Sequence, residues 1–275
     1  MSKPTYAWGR FWLETLALVP LLAAWAWWFR DEPPIALSVP VAFGFLTLLD
    51  AARRVHSPRL ILCGMMGWVL SFTPDATIAG TVPGFMCLLL LTERAPTTRS
   101  AVFWIATFGA VAIGVGYNWI APTVELFGGL PISVGILAAC AFGVLGTVHG
   151  LIFAPLYRAL LSRGRRPHPM TVAALWVACE SLPLRFFPWL VGYGAVNMPP
   201  LMQQAEWGGV PGVSFAVLCL IAPVYEWLRW GFAKSGPPAR PVAALATFLI
   251  GLAFFGWGHM RHLDVKASQT ADAED

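Results

Sequence analysis

The sequence predicts an all-α fold, a polytopic integral membrane helical bundle of about nine transmembrane helices. Three observations carry that expectation. Of 275 residues, 57% are hydrophobic and 12% charged, with a mean hydropathy of +0.66. A soluble domain carries about 25% charged residues, so half of the polar surface that water requires is missing. Apolar runs long enough to cross about 30 Å of hydrocarbon follow one another along the chain. Finally, the Lys and Arg residues fall between those runs in a repeating pattern.

In chain order the runs cover residues 11–29, 35–52, 59–73, 76–92, 101–121, 132–160, 170–183, 208–230 and 241–258. No small-residue cleavage site follows the first, so the N-terminus is not expected to be a removable signal peptide. The runs at 59–73, 76–92 and 170–183 are short and carry Gly or Pro, so one or more is expected to be a half-span. The connection 158–169 reads as a basic, helix-stopping loop that anchors the chain on the inner side. From His259 to Asp275 the Ala, Ser, Thr, Asp and Glu content predicts a disordered tail. The expected organisation is an additional pair of spans over 1–58, a main membrane domain over 59–258 and a tail over 259–275.

With the N-terminus in the cytoplasm and nine alternating spans, fourteen of the 18 basic residues fall on the cytoplasmic side. They are Lys3, Arg10, Arg53, Arg54, Arg59, Arg94, Arg99, Arg158, Arg163, Arg165, Arg166, Arg229, Lys234 and Arg240; Arg30, Arg185, Arg261 and Lys266 are the exceptions. Such a bias at every loop follows the positive-inside rule and puts segment 183–207 and the C-terminus on the non-cytoplasmic face. The net charge of +4 therefore marks topology and contacts with anionic headgroups, not nucleic acid. Cys63, Cys87, Cys140, Cys179 and Cys219 all lie in apolar runs without a CxxC pair, and read as small buried hydrophobes. No metal or cofactor is expected.

Two outward-facing places interrupt regular structure. Asn118-Trp119 closes one run and leads into Glu125-Leu126-Phe127-Gly128-Gly129-Leu130-Pro131. The second is the stretch Trp176–Phe215, where Phe186, Phe187, Trp189, Tyr193 and Trp207 crowd among Gly and Pro. Irregular backbone at membrane depth survives only where protein buries it or water reaches it, so these breaks imply a cavity or platform open to the outer leaflet. Pro188 fixes the backbone between Phe187 and Trp189, giving a rigid ledge for an acyl chain or glycerol backbone; the plainer reading of Trp189 and Tyr193 is membership of an aromatic belt. Glu180 sits beside this block and either pairs with Arg185 or holds a headgroup ammonium. Glu125 and Glu206 lie at the outer boundary, as a polar rim or simply solvated. His149 lies in mid-span, read as a neutral hydrogen-bonded side chain over a proton-transfer group, and Glu14 and Asp50 as helix–helix contacts.

In these places the chain resembles the membrane domain of the apolipoprotein N-acyltransferase family, which transfers an acyl chain from a phospholipid to the N-terminal Cys of lipoproteins. The resemblance rests on Phe72-Thr73-Pro74-Asp75, on Gly116-Tyr117-Asn118-Trp119 with Phe127-Gly128-Gly129-Leu130-Pro131, and on Ala174-Leu175-Trp176 with Glu180, Phe187-Pro188-Trp189-Leu190 and Gly192-Tyr193. Gln204-Ala205-Glu206, Gly208-Gly209-Val210 and Gly212-Val213-Ser214-Phe215 follow in the same order. The resemblance covers roughly residues 59–258, and departs from the family's pattern at Ser181–Phe186. It implies a bacterial inner-membrane location. It also implies lipid or partner binding by Asn118, Trp119, Phe127, Gly128, Gly129, Glu180, Phe187, Pro188, Trp189, Gly192, Tyr193 and Glu206, with phospholipid and lipoprotein as partners. The family's nitrilase-like domain, with its Glu–Lys–Cys triad, is expected to be missing here, because the sequence runs only 17 residues past Gly258. No catalytic residue is then expected on this chain, and a separate nitrilase-type subunit is the expected catalytic partner. A lipid transporter or membrane scaffold on the same bundle, using His149 or Glu180, is the alternative.

Overall fold

The computed structural model describes residues 64, 67–69, 78–117, 119–163, 166–182, 190–232 and 241–272, and all regular structure among them is helical. The expected spans 11–29 and 35–52, most of 59–73, and the turn Phe72–Asp75 lie outside the described residues.

The chain runs through α1 (Ile78–Arg94), α2 (Thr98–Gly116), α3 (Ile120–Gly128), α4 (Ile132–Gly146), α5 (Val148–Leu161) and α6 (Pro169–Glu180). A 3-10 helix (Val191–Ala195), α7 (Pro199–Met202), α8 (Ala205–Phe232) and α9 (Pro241–Asp272) follow. Local chemistry sets several boundaries. Thr97 Oγ1 accepts the Ser100 N–H at 3.1 Å and opens α2. His168 Nδ1 accepts the Met170 N–H at 3.2 Å, with Pro169 in the first helical position, and opens α6. The expected run 132–160 is two helices bent by 46°. At the bend the Thr147 hydroxyl shares its proton between the carbonyls of Gly143 and Val144 at 3.0 and 3.1 Å, adding to the Thr147 N–H bonds on the same oxygens, a back-bonding that bends helices.

By length and composition, Ala205–Arg229 of α8 and Pro241–Thr270 of α9 can cross a membrane, and the bent α4–α5 pair makes a third candidate. The α6 helix has 12 residues, about 18 Å at the usual rise, too short to span alone. Where composition predicts a disordered tail from His259, the chain is helical through Asp272. Leu263 and Lys266 are good helix formers, and Arg261 anchors the segment to Glu206.

The core lies where α1, α2, α5, α6 and α8 meet. Trp176 is its centre, fully buried, with Phe85, Phe153 and His149 edge-on at 4.9, 5.0 and 5.2 Å. The α4 helix packs on α2 through small residues. A Cβ on Gly143 would stand 2.5 Å from the Gly109 carbonyl oxygen, so only a glycine allows that approach. In contrast, α9 buries only 22% of its most apolar stretch and leaves Val242, Leu245, Leu249 and Leu252 exposed.

Candidate functional site: a hydrogen-bonded platform and an apolar groove

Two ends of the bundle hold the polar groups. At the first, Glu93 on α1 accepts from Tyr157 Oη at 2.7 Å, from Arg166 Nη2 at 2.6 Å and from Arg229 Nη1. Arg166 also donates through Nε to Glu226 at 2.7 Å, and these side chains are nearly excluded from solvent (4% exposed for Arg166, 6% for each carboxylate). Arg158 donates to the carbonyls of Thr92 and Ala95 at 2.8 and 2.7 Å, satisfying the end of α1. Burial works against the Arg166 charge, but Glu93, Tyr157 and Glu226 together outweigh it, and the guanidinium holds its proton more tightly than an ordinary arginine.

The other end carries Glu180, Gly192, Tyr193 and Glu206 among the residues that the sequence singled out. Glu180, the last residue of α6, is fully buried. Its Oε1 accepts the Trp176 indole N–H and the Val191 backbone N–H, both at 2.7 Å. One carboxylate thus holds both ends of the connection 181–190 and seats the 3-10 helix. The next amide, Gly192 N–H, donates to Ser214 Oγ of α8 at 2.8 Å. A Cβ on Gly192 would lie 2.8 Å from the Val210 oxygen, so the 3-10 helix rests on α8 at backbone distance. Tyr193 is half-buried beside it. Gln204 Nε2 then donates to the Phe254 carbonyl at 2.7 Å and ties this platform to α9.

At its start α8 breaks: Gly208 is non-helical and Gly209 takes φ 60° and ψ −157°, a conformation that favours glycine. Beyond the break, α8 and α9 diverge around a groove of about 540 Å³, within the range of ligand pockets. Its walls are rings and backbone: Trp207 stands edge-on to Trp257 at 5.4 Å, and Phe215 to Phe254 at 6.1 Å, with Gly208 and Gly212 leaving the space open. Glu206 and Arg261 form an exposed ion pair at 2.9 Å beside Trp207.

The structure therefore brings together Glu180, Gly192, Tyr193 and Glu206. Trp119, Phe127, Gly128 and Gly129 sit on another flank, where α3 packs on α4. There Phe127 is 82% exposed, and Gly129 ends α3 at φ 63° with its N–H on the Glu125 carbonyl. Asn118, Arg185, Phe187, Pro188 and Trp189 lie outside the described residues. Sequence reasoning missed Arg261, Phe254 and Trp257. The two rings lie three residues apart in a run read only as a span, and their spacing on one helix face was the available signal.

Comparison with known proteins places this architecture. The family described as Apolipoprotein N-acyltransferase N-terminal domain matches residues 64–222, from before α1 into α8. The apolipoprotein N-acyltransferase of Geobacter metallireducens is 29% identical over 211 residues, 73% of this chain and 39% of that protein. That of Bdellovibrio bacteriovorus is 28% identical over 177 residues, 62% of this chain and 31% of its own length. That of Haemophilus ducreyi is 26% identical over 193 residues, 68% and 33% respectively. The chain spans about a third of the length of these curated relatives.

Proposed function

The chain belongs to the apolipoprotein N-acyltransferase family, matching its N-terminal domain, and from that premise we propose that it is a membrane component of bacterial lipoprotein N-acylation. In this role it sits in the inner membrane as a bundle of about nine spans with its N-terminus in the cytoplasm. The Glu93 end faces inward, in keeping with Arg94, Arg99, Arg158, Arg163, Arg166 and Arg229 gathered near it. The Glu180 platform faces outward and binds phospholipid or lipoprotein acyl chains.

The observation that carries this reading is the pairing of a rigid base with exposed apolar walls at one end of the bundle. Glu180, Gly192, Ser214 and Gln204 fix the backbone, while Trp207 remains 77% exposed above them. The thiolate needed for acyl transfer comes from elsewhere in this scheme. Among the described residues, Cys87, Cys179 and Cys219 are buried in helices and Cys140 is half-buried on α4, none offering the polar, accessible setting of a nucleophile. A separate nitrilase-type catalytic subunit docking on the outer face supplies it. Mass spectrometry of lipoprotein N-termini from cells lacking this protein tests the reading. Loss of the third acyl chain is expected, and unchanged N-acylation overturns it.

A further inference from the structure

We infer that α9 is a dimerisation helix: two copies of this chain, inserted side by side in one membrane, pack in parallel along the α9 face turned away from the bundle, as a coiled-coil seam. The inference rests on the membrane location proposed above and on no part of the acylation scheme. It concerns a helix that lies wholly beyond the family match at residues 64–222.

One side of α9 belongs to its own bundle. Ala244, Thr247, Gly251 and Gly258 are buried there, and His262 and Val265 continue that side half-buried. The opposite side carries Val242, Leu245, Leu249 and Leu252, all exposed and spaced alternately by three and four residues. Gly256 comes next in that spacing, and a Cβ there would meet nothing within 4 Å, so no contact among the described residues explains its missing side chain. A second step of four leads to Met260, and the alternation resumes through Leu263, Ala267 and Thr270, again exposed. At about 100° per residue the stripe keeps to an arc of about 80° along the whole helix. It is clear of the groove residues Ile250, Phe254 and Trp257. Steps of three and four are those of a coiled-coil seam, and the repeated four is a stutter, which unwinds the supercoil locally. A glycine at that point lets two backbones approach closely.

Inside the bilayer such a stripe needs no partner, because lipid covers apolar side chains. About 20 residues cross the hydrocarbon, which takes α9 from Pro241 to the neighbourhood of Met260, and the helix runs on to Asp272. Roughly a dozen residues, about 18 Å, therefore stand in water, where a lone helix of that length is marginal. There Met260 is 62% and Leu263 48% exposed, on the side that its own bundle leaves open. A second apolar helix removes that surface from water. It has to follow the stripe through both media in one orientation, and another α9 inserted the same way does so. The flanks agree. In a parallel pair, the residue before one seam position faces the residue five further on in the partner. That sets exposed His259 against the partner's Asp264, and the reverse, an imidazole N–H facing a carboxylate on both sides of the two-fold axis.

The test is a cysteine scan of the full chain in native membranes, with the parent chain as background and disulfide-linked dimer read on non-reducing gels after mild oxidation. Met260→Cys, Leu263→Cys, Ala267→Cys and Thr270→Cys should each give a dimer band. His262→Cys, Val265→Cys and Gln269→Cys should give none, because their Cα atoms would lie beyond the roughly 7 Å that a disulfide spans. With Leu263→Cys as reporter, His259→Asp should weaken the band and adding Asp264→His should restore it. Native mass spectrometry of the parent chain released from nanodiscs should show twice the 29.9 kDa of one chain. Bands of equal strength at every position, a maximum on the His262 side, a double swap that fails to restore the band, or the mass of one chain overturns the inference. Every readout is association between chains, so the lipoprotein result stands or falls separately.

Discussion

The two ends of this bundle solve the same problem, buried polar groups between helices, in opposite ways. At the Glu93 end, charge meets charge. Two carboxylates and two guanidiniums from α1, the connection before α6, and α8 close on one another. At the Glu180 end the described donors to the buried carboxyl oxygen Oε1 are neutral N–H groups, and the ionic pair nearby is exposed. The difference has a physical consequence. An ionic cluster excluded from water is stable only when complete, so that end has no spare surface. Amide and indole donors fix backbone without consuming side chains, which leaves Trp207 and Trp257 available to line an open groove.

Breaking the closed end should produce the largest effect. Glu93→Ala takes one of two carboxylate partners from Arg166, the described carboxylate from Arg229 and the acceptor from the Tyr157 hydroxyl, and removal of one partner from a buried ion network costs about 3–5 kcal/mol. Thermal unfolding of the purified chain in detergent should show a loss of that size. Glu226→Ala should cost less, because Arg166 keeps Glu93. If Glu93→Ala melts with the parent chain, the cluster does not close that end.

At the open end the corresponding change is smaller. Glu180→Ala leaves the Trp176 and Val191 N–H groups buried without this acceptor, at about 1–3 kcal/mol for each buried donor left unsatisfied. Hydrogen exchange should report it locally, with faster exchange at Val191 and Gly192 and little change in α1. Uniform acceleration throughout the bundle would mean that Glu180 is a global keystone and not a local clasp. Gly192→Ala comes next, at about 1–3 kcal/mol for overpacking, because the new methyl meets the Val210 oxygen and Ser214. Its exchange signature should appear at the 3-10 helix and the facing turn of α8. A silent substitution would show that the 3-10 helix does not rest on α8 as closely as drawn.

How much of this was legible in sequence differs between the ends for a physical reason. Apolar runs announce helices, so α8 and α9 follow from composition, and the ordered Trp176, Glu180, Gly192 and Gln204 motifs mark the platform. The donors to Glu180 Oε1 were not legible: they are an indole one turn earlier and a backbone amide, which has no sequence signature, while Arg185 lies outside the described residues. The ionic cluster was hidden more deeply. Arg166 and Arg229 fit the pattern of topology-setting charges, and nothing local pairs them with Glu93, 73 and 136 residues away. Likewise the polar composition after His259 conceals a helix that Arg261 joins to Glu206, 55 residues earlier.

That last contact gives the smallest effect and the sharpest version of the comparison. Arg261→Gln removes an ion pair whose members are 43% and 41% exposed, and exposed pairs contribute about 0–1 kcal/mol. The parent should lose even that increment at high salt, since ions screen solvent-facing charges. Thermal unfolding of parent and variant at low and at about 1 M salt should therefore converge, whereas the Glu93→Ala deficit, being buried, should persist. The end of α9 should stay helical, because Ser268 and Thr270 hydroxyls bond back to the Val265 and Lys266 carbonyls independently of Arg261. A salt-insensitive loss as large as that of Glu180→Ala would mean that the Glu180 end, too, is closed by charge. The contrast between a sealed Glu93 end and an open Glu180 end would then no longer describe the molecule.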